Sequence, residues 1–426
     1  MGDEVNTGGG ARGDNFGYEE LNEFRHGTSN SKIKDYFTNL YKGIYLCNLA
    51  VERLEDDTET KRQVIAEAKT IRAYYYMELV SLWGRVPLVL RELQPDEYAQ
   101  PNAEIAEIWA QIEQDLAEAI PVLPLKSQQS SENRVRTSKG AAQAWLGKAY
   151  LYQKKYQEAA AQFEELIASG EYGLHTEFAT ILREEQEFGI ESIFEISLVA
   201  DPSAEDEGDS DFYACGPRDT HFTPGTLGIE AGWGFMPPKK KLYDAFVAAG
   251  DLVRRQATLM NEEEMAAYGT SIRAIDGSGS FQYGGEGYLR LKYGAWYVEK
   301  GTTWGKYGTN IRLMRYGDVL LMAAEAYNRS GNDTRALMYI NQVRDRVDLP
   351  PLTSTGDQLF EDIKTERRLE LAFEHVRYQD LIRWGDAPTA FADQGKQVPR
   401  GDGTYIELAD AGWKEKTGFS QFRKMK

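Results

Sequence analysis

The chain has 426 residues, 42% of them hydrophobic, enough to bury a sizeable core. Its net charge of −18 argues against nucleic acid, whose binders present a basic stripe, and against a polybasic membrane contact. No apolar run approaches the roughly 18 residues of a membrane-spanning helix.

The opening MGDEVNTGGGARGDN reads as a glycine-rich loop rather than a chain start, and both natural ends are expected to lie beyond this sequence. Apolar residues at helical spacing predict a helix over 33–54 (Phe37, Leu40, Tyr41, Ile44, Leu49) and another over 61–82 (Val64, Ile65, Ala68, Ile71, Tyr75, Leu79). Gly84 and Pro87 stop the second. A third helix is predicted over 104–120, ended by Pro121 and Pro124, and it is expected to pair with the second.

Segment 137–169 carries Leu146, Gly147 and Tyr150, then Ala159 and Phe163, which is the spacing of a tetratricopeptide unit. Ala324, Tyr327, Ala336 and Ile340 repeat the register. The small residues let two helices approach closely, and the aromatics fill the space beside them. Stacked helical hairpins follow, with one short strand in 190–199, a helix over 237–249 after a Pro pair, and glycine-rich irregular segments at 201–233 and 276–310. The predicted fold class is therefore all-α, a tetratricopeptide-like scaffold with long irregular loops and a few short strands. No Pro-, Ser- or charge-rich linker divides it, so one compact body over 1–426 is expected.

The run ERRLELAFEHVRYQDLIRW is predicted as one long helix. Glu366, Glu370 and Glu374 fall four residues apart and stack on one face, where they repel unless cations pair them. Two readings compete. One is a pair of catalytic carboxylates, as in a glycosidase, with Glu370 or Glu374 as acid. The other is an ion network with Arg367, Arg368, Arg377, Asp380 and Arg383, and the density of mixed charge favours it. The four histidines show no zinc-ligand spacing, and no nucleophile motif or phosphate loop is present, so no metal, cofactor or catalytic residue is predicted. The acidic run 201–211 lacks EF-hand spacing and is set aside as a calcium site. Cys47 and Cys215 form no disulfide framework.

The aromatics of the glycine-rich segments are the sharper site candidates: Trp233, Phe235, Tyr283, Tyr288, Trp296 and Trp304. A pyranose presents an apolar C–H face to such rings, while its hydroxyls need polar partners. The plainer alternative is that these rings pack the loops onto the body.

Several segments in order give the chain a family likeness: DEVNTGG with Asp14, DYFTNLYKGIYLCNLAVERL, AEAKTIRAYYYMELVSLWGRVPLV, PKKKLYDAFVAAGDLVRR, LMRYGDVLLMAAEAYNRSG and ERRLELAFEHVRYQDLIRWGD. Together they resemble the SusD/RagB family of surface glycan-binding lipoproteins of Bacteroidetes. In that pattern 1–200 is the N-terminal region with the hairpins, and 230–426 is the C-terminal region. The resemblance implies a non-catalytic protein at the outer-membrane surface that captures an oligosaccharide or polysaccharide over a SusC-like TonB-dependent transporter. It also implies an N-terminal lipid anchor, although the family's lipidated Cys, signal peptide and Pro- and Asn-rich terminal segment are not in this sequence. Some members serve peptide uptake, which leaves the cargo class open. The segment before the first long helix often contributes to the site, which adds Tyr18, Phe24 and Asn30. A helical-toroid glycoside hydrolase and a peptide-binding tetratricopeptide adaptor are the alternatives.

Overall fold

A computed structural model describes residues 2–200, 210–301 and 305–413. Trp304, expected at the site, and residues 201–209 of the acidic run lie outside those residues. The helices come first in the chain: α1 (Phe16–Asn22), α2 (Ser31–Arg53), α3 (Glu59–Trp83), α4 (Ile105–Ala119), α5 (Lys139–Tyr152) and α6 (Tyr156–Ala168). Strand β1 (Ser192–Ile196) follows, then α7 (Asp211–Cys215), α8 (Lys240–Ala248), α9 (Leu252–Thr258), β2 (Leu259–Asn261) and α10 (Glu262–Ala266). The last third holds β3 (Tyr288–Arg290), β4 (Ile311–Arg315), α11 (Tyr316–Arg329), α12 (Asp333–Asp345), α13 (Gly356–Glu370), α14 (Arg377–Trp384), α15 (Ala387–Ala390), β5 (Gln397–Pro399) and β6 (Tyr405–Glu407). The mainly helical class expected from the sequence is what the chain adopts.

Antiparallel hairpins build the core: α2 on α3, α3 on α4, α5 on α6 and α11 on α12. The periodic apolar residues of these helices form one continuous buried cluster. At Gly147 a Cβ would come 2.5 Å from the Phe163 ring, so α5 and α6 meet as closely as the repeat pattern requires. The pairing of α3 with α4 is fixed by a buried bidentate ion pair, Arg72 Nε and Nη2 to Asp115 at 2.8 and 2.7 Å. Gly84, at φ 74°, ends α3 in a conformation that costs a side-chain-bearing residue free energy. Strand β1 pairs antiparallel with β4, and this joins the two regions of the chain.

The long charged helix is not continuous. Helix α13 ends at Glu370 and α14 starts at Arg377, with Phe373 and His375 both left-handed (φ 64° and 67°) in between. The turn swings the Glu374 carboxylate inward to Arg315 Nε at 2.6 Å and Nη2 at 2.8 Å. Had the helix continued, Glu374 would have stacked on Glu370 as a like charge. The electrostatic gain at Arg315 offsets the local strain of two non-glycine residues at positive φ.

Candidate functional site

The two carboxylates considered as catalytic acids lie in the interior. Glu370 is fully buried and accepts hydrogen bonds from Arg254 Nη1 at 2.9 Å, Arg315 Nη1 at 2.6 Å and Arg346 Nη2. Glu374 meets Arg315 and Lys292. Burial alone would raise the Glu370 pKa, but Arg346, Arg315 and Arg254 outweigh it and hold the carboxylate well below its ordinary range. A general acid near neutral pH needs the opposite shift. The ion-network reading is the one realised, and it extends to Glu366 with Arg344 and to Arg367 with Asp318 and Asp380.

The loop aromatics are brought together by the N-terminal segment. Residues 5–9 run antiparallel to 234–238, with Gly9 N donating to Gly234 O at 2.8 Å and Met236 N to Thr7 O at 2.8 Å. Gly8 has φ 69°, and a Cβ there would lie 2.1 Å from Gly234 O, so only glycine allows this approach. Asp14 then folds the next loop by accepting from Gly10 N at 2.7 Å. Asn15 caps α1 through Tyr18 N at 3.3 Å.

That turn displays Phe16, 58% exposed, and sets Tyr18 edge-on to Phe235 with centroids 6.0 Å apart. The Lys32 ammonium lies 4.6 Å from the Tyr18 ring centre. On the adjoining loop Trp233 is 38% exposed and stands edge-on to Tyr213 at 5.6 Å. Gln282 fixes the floor by donating to Gly234 O at 2.7 Å and accepting from Arg218 N at 2.8 Å. The Arg218 guanidinium donates to Trp233 O at 3.4 Å and flanks Gly10. The pairing of 5–9 with 234–238 thus sets side by side the segments that carry three rings, Phe16, Tyr18 and Trp233 (the ring arc), together with exposed Met236, a carboxylate (Asp14) and a guanidinium (Arg218). Flat apolar faces next to polar donors and acceptors suit a pyranose chain.

Of the other expected residues, Tyr283 is buried just beneath, its hydroxyl 3.4 Å from Arg12 Nη1, and Phe235 supports Tyr18 from within. Tyr288 sits on β3 against Tyr243 at 5.0 Å. Trp296 lies apart from the arc. Its Nε1 donates to Leu291 O at 3.0 Å, and Arg183 covers its ring at 4.1 Å.

Phe24 and Asn30 serve the fold instead of a ligand. Phe24 is 2% exposed and packs on Phe391 and Trp413 at 4.7 and 5.4 Å, so neither ring face is open. Asn30 is the N-cap of α2: its Oδ1 accepts from Lys32 N and Ile33 N, and its Nδ2 donates to Gly17 O and Glu20 Oε2. Its hydrogen-bonding capacity is taken up internally. Phe16, Arg218 and Met236 are arc residues that sequence reasoning missed. The available signal was an Asn-Phe pair at a helix start, which places a large ring on an exposed first turn.

Comparison with known proteins agrees with this architecture. Residues 190–417 match the model of the SusD family. The chain belongs to that family. Residues 5–151 match a second model described as starch-binding associating with outer membrane. Among relatives, the chain is 26% identical to SusD-like protein P25 of Formosa agariphila, over 83% of this chain and 70% of that protein. It is 28% identical to SusD-like protein P2 of the same organism, over 86% and 74%. Among solved structures it resembles a laminarin-binding SusD-like protein (31% identity, TM-score 0.83, 92% of this chain and 87% of that one). It also resembles surface glycan-binding protein A from Bacteroides thetaiotaomicron in complex with laminarihexaose (25% identity, TM-score 0.80, 98% and 88%). No helix among the described residues is long and apolar enough to cross a membrane.

Proposed function

We propose that this SusD-family chain is a non-catalytic glycan-binding protein of the bacterial outer-membrane surface, anchored by lipid, that delivers oligosaccharide to a SusC-like TonB-dependent transporter. The observation that carries the reading is the arc of Phe16, Tyr18 and Trp233 edged by Asp14 and Arg218. The rings stack on sugar faces and the edge groups hydrogen-bond hydroxyls, while the buried strand-like pairing of 5–9 with 234–238 holds them in place before ligand arrives. A laminarin-type glucan is the first ligand to try, because two structural neighbours are named for laminarin or laminarihexaose. The helical stack is the face offered to the transporter, and its exposed Tyr45, Leu46 and Tyr98 suit a protein contact.

Electrophoresis through gels containing laminarin and other polysaccharides tests the reading. The protein should be retarded by at least one glycan and should release no reducing sugar from it. Free migration through every gel of a broad panel, or sugar release, overturns the proposal. Co-purification with a large outer-membrane barrel tests the transporter arm.

A further inference from the structure

A cleft of about 500 Å³ opens between α2, α3, α5 and the turn at 371–376, and it borders the ring arc through Val5, Lys32 and Met236. Its size is that of a small-molecule site. Two ring pairs wall it: Tyr36 with Trp83 (centroids 6.1 Å apart) and Tyr74 with Trp145 (4.9 Å). Lys148 also lines it and is 3% exposed, its ammonium 5.2 Å from the Trp145 ring centre and 5.5 Å from that of Tyr152. Among the described residues this ammonium has no carboxylate within 4.0 Å.

That isolation is out of keeping with the rest of the interior. Arg72, Arg254, Arg315, Arg367 and Lys292 are as deeply buried, and each meets at least one carboxylate. An ammonium held at a cleft wall without an anion attracts one, and a charge-assisted hydrogen bond made there is stronger than a neutral one. The Tyr74 hydroxyl, one turn along α3 from Glu78, likewise lacks a protein partner among the described residues and supplies a second donor.

The other charges around the cleft leave this role to Lys148. Glu374 is bound to Arg315 and Lys292, Glu4 to Arg368, and Arg377 to Asp3. Arg312 faces Glu195 and Glu187, and Lys32 covers Tyr18. Arg290 stacks on Phe373 at 4.7 Å, adding positive potential from the far wall. Glu78 accepts from Tyr36 Oη at 3.0 Å and from Gln379 Nε2 at 3.1 Å, so it sits at the polar rim as an acceptor.

We propose that this cleft is a second ligand site, which takes a carboxylate carried on a ring: the carboxylate on Lys148 and Tyr74, the ring between the aromatic walls. A sugar acid and an aromatic acid share that chemistry. Calorimetric titration distinguishes them, with D-glucuronate against D-glucose and benzoate against benzyl alcohol, using the Trp233→Ala chain so that the surface arc contributes little. One acid should bind at least about tenfold tighter than its neutral counterpart, the worth of one charge-assisted hydrogen bond, and the acid that does so identifies the ligand class. Lys148→Met should remove the preference while the ring stack remains. Should that variant fail to fold, Tyr74→Phe, which deletes one hydroxyl, should weaken the acid about threefold to tenfold. Equal binding of acid and neutral partner for both pairs overturns the proposal, as does a preference that survives both substitutions.

Discussion

Glu370→Gln separates the structural from the catalytic view of the charged segment. The side chain is fully buried and accepts from three guanidiniums, those of Arg254, Arg315 and Arg346. The amide keeps the shape but removes the negative charge, leaving those cations under-compensated in a medium where water cannot screen them. Breaking a buried ion pair in this way costs about 3–5 kcal/mol, a large fraction of the roughly 5–15 kcal/mol that separates folded from unfolded chains. Urea denaturation followed by circular dichroism reads the loss, with Glu361→Gln as control, since Glu361 is an exposed carboxylate of the same helix and should change stability by less than about 0.5 kcal/mol. The pH dependence supplies a second reading. The folded pKa of Glu370 lies below its unfolded value of about 4.5, so its contribution is complete above pH 4.5 and is lost as pH falls through the folded value. Wild-type stability should therefore fall steeply below pH 4.5, and Glu370→Gln should show a shallower fall. A variant as stable as the control, or a wild-type hydrolytic activity that the variant loses, would refute the reasoning.

Three further outcomes follow from packing. Gly147→Ala places a methyl 2.5 Å from the Phe163 ring and should cost about 1–3 kcal/mol by overpacking, read as a lower unfolding midpoint with helical dichroism retained. Phe24→Ala removes a buried ring from the Phe391–Trp413 cluster and should cost about 3–5 kcal/mol. Glycan retention per folded molecule should be unchanged by it, because the ring faces the core. Burial pushes the Cys47 thiol up to about 12, so iodoacetamide at pH 8 should leave Cys47 unmodified in the native protein and label it after unfolding, as mass spectrometry of the peptides would show.

Local pattern made the helices legible. Their apolar residues recur at the helical period and face one core, and Gly84 marks the end of α3 by a conformation glycine tolerates. The break between α13 and α14 was not legible, because Phe373 and His375 carry no turn signature. It is imposed from a distance by Arg315, which draws Glu374 out of helical register. The arc was half legible. Trp233 stands out as a ring in an irregular segment and Tyr18 came from the family resemblance, but Phe16, Arg218 and Met236 join them only through the pairing of 5–9 with 234–238, more than 200 residues apart in sequence. Asn30 entered as a site residue through the family resemblance and its hydrogen-bonding side chain. Its place before Ser31, at the start of a periodic apolar run, is the mark of a helix cap, and capping uses the amide completely.

Hydrogen exchange with and without laminarihexaose tests the site most directly, using the wild type and Trp233→Ala. Exchange should slow in 8–18 and 213–236 of the wild type on adding the sugar and change little in the variant, whose unfolding midpoint stays close to that of the wild type. Protection confined to the helical stack, or identical protection in both proteins, would contradict this expectation.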